Sequence, residues 1–376
     1  MSRPPRVLLA GAFGQGNPGD ESVLDAFVSH LDGCQVAATV GGPPARGPGR
    51  YRPVSSADRR AVGAAVLRSD LTVATATVFK VLHPATGRPP LGLLASTLAM
   101  AVTARTAGRP LVMAGVGAGN LDHRGAALLT RAVGRSVGWL EVRDEESAAA
   151  LQAVGVTRPV PVGADVVWAT LGVPSGLRRQ ASAAVAGRPR AVMALSHLAG
   201  GRSLVAALRA AAEGLSARGF EVVLHPWQPE QDGRMAAAVA EGCRVPLPVW
   251  TPPPDVPAAA ARYAGAAVVV GLRFHSLVAA AGAGVPFVAV AHEPKLAGVA
   301  RRMQQVAVTP AITGADLSAA AVRAASGGSP PVAAVAAETS RAALTLDGVR
   351  RAAFASAARR GRRPRLTGGI TALGPG

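Results

Sequence analysis

The sequence predicts an α/β protein of two doubly wound, parallel-sheet domains that face one another across a cleft. Three observations predict it. Short apolar runs alternate with amphipathic segments along most of the chain. The 376 residues exceed what one hydrophobic core usually organises. A polar, Pro/Gly-bearing stretch, Gly172–Arg190, divides the alternation into two series.

In the first series the strand-like runs are Arg6–Ala12, Val36–Val40, Leu71–Thr77, Pro110–Val116, Trp139–Val142 and Val160–Val162. In the second they are Ala191–Ser196, Glu221–His225, Ala267–Val270 and Phe287–Val290. Continuous apolar runs of this length suit strands buried on both faces, as helices on either side of a parallel sheet require. The intervening helical patterns are Glu21–Leu31, Asp58–Arg68, Leu91–Thr106, Gly125–Val137, Glu145–Val154, Gly201–Ala217 and Arg234–Glu241. A small-residue helix should follow Leu277. The domains are therefore expected at residues 1–175 and 188–326, with 327–376 as a helical, Arg-rich tail that breaks into Val332–Leu344 and Leu346–Ala358.

Composition excludes several classes. Hydrophobic residues make up 49 %, charged residues 16 % and aromatic residues 3 %, so the chain is neither a solvated disordered polymer nor an aromatic-rich binding surface. Two cysteines, Cys34 and Cys243, cannot form a disulfide framework, and no Cys/His spacing suggests a metal. Val7–Ala10 is too short for the apolar part of a signal peptide, and the longest apolar stretch, Leu91–Ala104, is too short to span a bilayer. A cytoplasmic protein is the expectation, with a peripheral place at the inner membrane face if the tail binds lipid.

The formal net charge is +18. It favours anionic partners, although only Lys80 and Lys295 among the 40 basic residues are lysines, which marks a chain-wide arginine bias. That bias makes the two lysines informative, because a compact ammonium has been kept where arginine is the rule. Residues 341–376 carry eight arginines against one acid, Asp347. Such a tail is either solvated or meets an anionic membrane surface. The scarcity of aromatic stacking platforms argues against nucleic acid.

The first motif is a glycine loop, Gly11–Glu21, between the first strand and the first helix. Gly14, Gly16 and Gly19 match GxGxxG in form, and glycines at such a turn allow positive φ and close backbone approach. A dinucleotide site also needs an acid after the second strand, and Thr39-Val40-Gly41-Gly42 has none. Asp20 and Glu21 open the helix instead, where carboxylates suit the dipole. The loop is therefore either a tight structural turn or a substrate-facing segment.

The densest chemistry lies late in the chain. One strand runs into Gly271-Leu272-Arg273-Phe274-His275-Ser276 and the next ends at Ala291-His292-Glu293-Pro294-Lys295. In an open α/β sheet the ligand crevice lies outside the carboxyl ends of the strands, so both segments should present their polar groups on one rim. Arg273 offers a planar fork for a carboxylate or phosphate, His275 exchanges a proton near neutrality, and Lys295 offers a point charge. Arg143, in Glu141-Val142-Arg143-Asp144-Glu145-Glu146-Ser147, stands at another strand tip, and Asp165, His197 and His225 occupy further rim positions.

Taken in order, GAFGQGNPGDESVL, EVRDEES, GLRFHSL and GVP followed by HEPKL resemble the polysaccharide pyruvyl transferase family over residues 6–300. The resemblance implies a Rossmann-like, GT-B-like pair of domains and transfer of an enolpyruvyl-derived unit from phosphoenolpyruvate to a sugar, as a pyruvate ketal on a cell-surface polysaccharide or its lipid-linked precursor. It implies no cofactor, with phosphoenolpyruvate as the donor substrate and a sugar or lipid-linked glycan as acceptor. By the same resemblance Arg273, His275, Lys295 and Arg143 fall on functional positions; His275 and Arg273 are expected to be catalytic, and Lys295, Arg143, Gly14, Asn17, Gly19, Asp20 and Glu21 to bind substrate. One departure stands out. The family has a triple glycine and an acid after the third strand, where this chain reads Asp70-Leu71-Thr72-Val73-Ala74-Thr75-Ala76-Thr77-Val78-Phe79-Lys80. Thr75, Thr77 or Lys80 would then serve the cleft in its place.

The residues fit that chemistry. A donor with a carboxylate and a phosphate needs fixed cations, which Arg143, Arg273 and Lys295 supply. Ketal formation needs an acid at the enol carbon, for which His275 is the candidate, and a base at the sugar hydroxyl, for which Asp20 or Glu21 is. Two other readings stay open: a nucleotide-sugar glycosyltransferase of the same architecture, and a non-catalytic family member that has lost turnover with the triple glycine.

Overall fold

The computed structural model describes residues 3–42, 49–82, 88–172 and 187–361. The first sheet contains β1 (Arg6–Phe13), β2 (Gln35–Val40), β3 (Arg52–Ser55), β4 (Leu71–Ala74), β5 (Thr77–Phe79), β6 (Leu111–Ala118) and β7 (Trp139–Val142). Its order is β3-β2-β1-β4-β6, with β5 and β7 both pairing with β6, and every pair is parallel. The second sheet contains β8 (Arg190–Leu195), β9 (Glu221–Pro226), β10 (Val268–Gly271), β11 (Phe287–Val290) and β12 (Val306–Val308). Its order is β12-β11-β10-β8-β9, again parallel throughout. Strands β4, β10 and β11 are buried at every position, as sheets covered on both faces require.

The helices around the first sheet are α1 (Pro18–His30), α2 (Arg59–Arg68), α3 (Gly92–Thr106), α4 (Arg124–Ser136) and α5 (Glu145–Ala153). Those around the second are α6 (Arg202–Ala217), α7 (Pro229–Ala240), α8 (Val256–Tyr263), α9 (Phe274–Gly282), α10 (Pro294–Arg302) and α11 (Gly314–Gly327). A final helix, α12, runs over Val332–Gly361. Polar caps set several starts. Asn17 accepts from the Gly19 amide ahead of Pro18 and two acids, and Asp58, Asp144 and Asp255 cap α2, α5 and α8.

The topology decides where a ligand can enter. In the first sheet the chain leaves β1 towards β2 on one side and returns to β4 on the other; in the second it leaves β8 towards β9 and returns to β10. Each is a switch point, where diverging loops open a crevice at the strands' carboxyl ends. The two crevices face one another. One apolar cluster runs from Phe27, Trp168 and Leu171 in the first half to Leu277 and Ala281 in the second, so the halves are packed together behind the cleft.

Three expectations are corrected. Val160–Val162 is not a strand, because only a single bridge, Val142 to Val162, forms there. The run Leu71–Thr77 is broken, because Ala76 adopts a left-handed φ of 61° and separates β4 from β5. The tail does not split into two helices: α12 is continuous and lies back on the first half. Val335, Ala342, Leu346, Val349 and Ala353 form its buried stripe, and it is tied by Arg360 to Asp70 (3.0 Å), His30 to Asp347 (2.8 Å) and Thr345 to Glu141 (2.6 Å). Residues 362–376, which hold the last three arginines of the tail, lie outside the described residues.

Candidate active site

A cleft of about 600 Å³ lies between the halves. Its walls come from the ends of β1, β4 and β5, from α3, and from the segments following β8, β9, β10 and β11. Six lysine and arginine side chains line it against two carboxylates, Asp20 and Glu293. This is the charge balance of a site for an anion.

His275 stands in the first turn of α9 and is nearly buried. Its Nε2 lies 3.4 Å from Asp165 Oδ2, which is ion-pair range, yet it forms no hydrogen bond. The Phe274 ring meets it edge-on and also covers the Arg143 guanidinium at 4.4 Å. On its other side His275 packs on Gly19. A Cβ there would stand 2.6 Å from His275 Cε1, so no larger residue fits beside the ring. The need for glycine at position 19 is thus set by a side chain of the opposite domain and not by a backbone turn.

Asp20, one residue on, is half-buried and lines the cleft, with Asn17 Nδ2 donating to its Oδ2 at 2.6 Å. Burial raises its pKa against the opposing pull of His275, Asn17 and Arg143. Burial also acts to raise Asp165, but His275 and Arg143 outweigh it and hold that carboxyl well below the usual range. The site thus sets two carboxyls with opposite shifts, Asp165 held down and Asp20 raised, within electrostatic reach of one imidazole.

Glu21 is not brought to the cleft. Its carboxylate turns back to accept the Gly14 amide at 2.6 Å and closes the glycine loop. Gly14 supports that closure with a φ of 70°, so both residues shape the loop. Arg143 does reach the cleft wall but is not a free fork: it is buried and bound to Asp144 at 3.2 Å and Asp165 at 3.0 Å. Arg273 likewise is gripped by Asp232, through Nε at 2.8 Å and Nη2 at 2.7 Å, while Nη2 also reaches Gln228 Oε1 at 2.7 Å.

Asp232 is the residue that sequence reasoning missed. It is fully buried and accepts from the His197, Trp227 and Gln228 amides as well as from Arg273 and the His197 ring. A carboxylate in the first turn of the helix after β9 was its only local signal. His197 is held on Asp232 outside the cleft lining, and His225 is buried behind it with Nδ1 2.7 Å from Tyr263 Oη.

Lys295 opens α10 and pairs with Glu293. Lys80, from the end of β5, reaches the same carboxylate at 2.7 Å. Burial lowers Lys295, with Glu293 opposing and Lys80 and Arg143 adding to the effect. Where the expected triple glycine is missing, Ala76 holds the left-handed backbone that a glycine would adopt freely. Thr75 and Thr77 line the cleft there, and Thr75 Oγ1 is buried without a hydrogen-bond partner.

Residues 77–294, more than half of the chain, match the sequence profile of the polysaccharide pyruvyl transferase family. The chain belongs to that family. The match covers the Arg143, Arg273 and His275 segments in the expected order. No curated protein sequence matches the chain. Solved structures of GT-B architecture resemble it over nearly its full length. They include S. aureus MnaA with UDP (TM-score 0.61, 10 % identity, 92 % of this chain and 96 % of that one). A UDP-GlcNAc 2-epimerase from Neisseria meningitidis bound to UDP-GlcNAc is similar (0.56, 9 %, 92 % and 100 %). So is Anabaena Alr3699/HepE in complex with UDP-glucose (0.54, 14 %, 95 % and 99 %). At these identities the likeness is one of fold, and the two-domain GT-B architecture of this transferase follows from it.

Proposed function

We propose that this pyruvyl transferase family member takes phosphoenolpyruvate as donor and forms a pyruvate ketal across two hydroxyls of a sugar, on a polysaccharide or its lipid-linked precursor. The observation that carries the reading is one cleft that brings His275, with Asp20 and Asp165 in electrostatic reach of it, together with two lysines that share Glu293. A donor with an enol carbon between a carboxylate and a phosphate suits an imidazole beside fixed cations.

In this reading His275 delivers a proton to the donor's methylene carbon, which becomes a methyl group. One sugar oxygen bonds to the adjacent carbon. The second sugar oxygen then replaces the phosphate, which leaves as inorganic phosphate. Of the two hydroxyl protons, one replenishes the acid and the other leaves on phosphate, so the equation balances without a cofactor. Asp20, raised by burial, accepts the hydroxyl proton. Asp165 and Arg143 hold the imidazole in place, and Lys295 neutralises the departing phosphate. Arg273, fixed by Asp232, presents its edge to the donor from the second switch point.

The test is thermal stabilisation by phosphoenolpyruvate against UDP-sugars, the ligands held by the structural relatives. A concentration-dependent rise with phosphoenolpyruvate, lost in Arg273→Ala, is expected. A rise with a UDP-sugar alone would replace this reading with a glycosyltransferase.

A further inference from the structure

Only two lysines occur in the 376 residues, and they meet on one carboxylate. Lys80 comes from the first half and Lys295 from the second, and each takes a different oxygen of Glu293. All three side chains line the cleft and are about a quarter exposed, so a solute can reach them. Glu293 stands at the N-cap of α10 but caps nothing with its side chain; the carboxylate is turned wholly to the lysines.

The charges there do not balance. Two ammoniums share one carboxylate, and Lys80 raises the cost of the Lys295 charge. The neighbouring cations are matched already, Arg143 by Asp144 and Asp165 and Arg273 by Asp232. The named cations and carboxylates balance in sum, Arg143 being held by two acids, so the excess positive charge is local to the lysine pair, where two ammoniums share one carboxylate. Two oxygens of a phosphate are spaced much as two oxygens of a carboxylate, and a phosphate carries up to two charges. It fits the same two-pronged grip and matches its charge better than Glu293 does.

We propose that Lys80 and Lys295 form an anion clasp across the two domains, that Glu293 is its tethered internal occupant, and that the donor's phosphate displaces Glu293 from it. The proposal rests on the phosphoenolpyruvate reading for the identity of the donor, but the clasp itself requires only a phosphate. Lys80 thereby becomes a donor-binding residue supplied by the first domain, in the segment where the family's triple glycine is missing. Glu293 sets donor affinity by competing with it.

The test measures binding of inorganic phosphate, phosphoenolpyruvate and lactate to the full chain by calorimetry, with a melting curve for each variant. Lys80→Met should weaken phosphate binding about tenfold or more, and Lys80→Arg should recover part of it. Glu293→Gln should tighten phosphate and phosphoenolpyruvate about tenfold, because the internal competitor has lost its charge. Weaker phosphate binding in a folded Glu293→Gln protein would overturn the occupant and make Glu293 a support for the lysines. Unchanged phosphate affinity in Lys80→Met would overturn the clasp. A response of lactate alone would assign the lysines to a carboxylate and overturn the phosphate assignment. If inorganic phosphate follows the expected pattern while phosphoenolpyruvate does not bind, the clasp stands and the donor reading fails.

Discussion

Gly19→Ala tests whether the opposing domain needs His275 where the structure puts it. Position 19 lies in the first turn of α1 with an ordinary helical backbone, so alanine brings no φ strain there. The whole effect must come from the added methyl group. It would overlap three atoms of the His275 ring, most deeply Nδ1, and even the least crowded of them, Cε1 at 2.6 Å, falls 0.8 Å short of the 3.4 Å at which ordinary contact begins, so the ring must retreat by more than 0.8 Å. Overpacking of this kind costs about 1–3 kcal/mol of stability. A displacement near 1 Å at a reacting group costs about 10²-fold in rate. The decisive assay is a double-mutant cycle read by chemical denaturation: Gly19→Ala, His275→Ala and the double variant. The destabilisation by Gly19→Ala should vanish in the His275→Ala background, because the truncated side chain leaves room for the methyl. Equal destabilisation in both backgrounds would refute the contact, and with it the placement of His275 against the glycine loop.

Two further predictions follow from buried charge. Arg143→Met leaves Asp144 and Asp165 without their cation in a buried site, and should cost about 3–5 kcal/mol, part of it returned by adding Asp165→Asn; a loss below about 1 kcal/mol in urea unfolding would show that the carboxylates find other partners. His225 is pushed down to about 3 from an ordinary 6.5, by burial first and then by Arg262. The unfolded chain therefore takes a proton near pH 6.5 that the folded chain refuses until near pH 3, so this contribution to stability is complete above pH 6.5 and falls as the pH drops. The slope is about 1.4 kcal/mol per pH unit, or about 2 kcal/mol lost by pH 5. His225→Phe should flatten the stability profile between pH 7 and 5, and superimposable profiles would remove His225 from the acid response.

The family and the two-sheet architecture were legible in the sequence because both depend on local signals. Buried parallel strands announce themselves as apolar runs between helical patterns, and the segments bearing Arg143, Arg273 and Lys295 sit directly after such runs. Chain topology alone then carries them to one rim. What the sequence could not show is what each side chain is paired with. Asp232 holds Arg273 from 41 residues away, Asp165 holds Arg143 from 22, and Lys80 meets Glu293 across 213. The lysines were flagged by composition, but their meeting was not foreseeable. Nor was the reason for Gly19, which a sequence reads as turn glycine and the fold reveals as space for a histidine of the other domain. The continuous α12 belongs with these, since Arg360 reaching Asp70 is a contact over 290 residues. Periodicity and composition act over a few residues and fix elements and their order; pairing of charges and fit of side chains across a domain interface arise only once the two sheets are packed face to face.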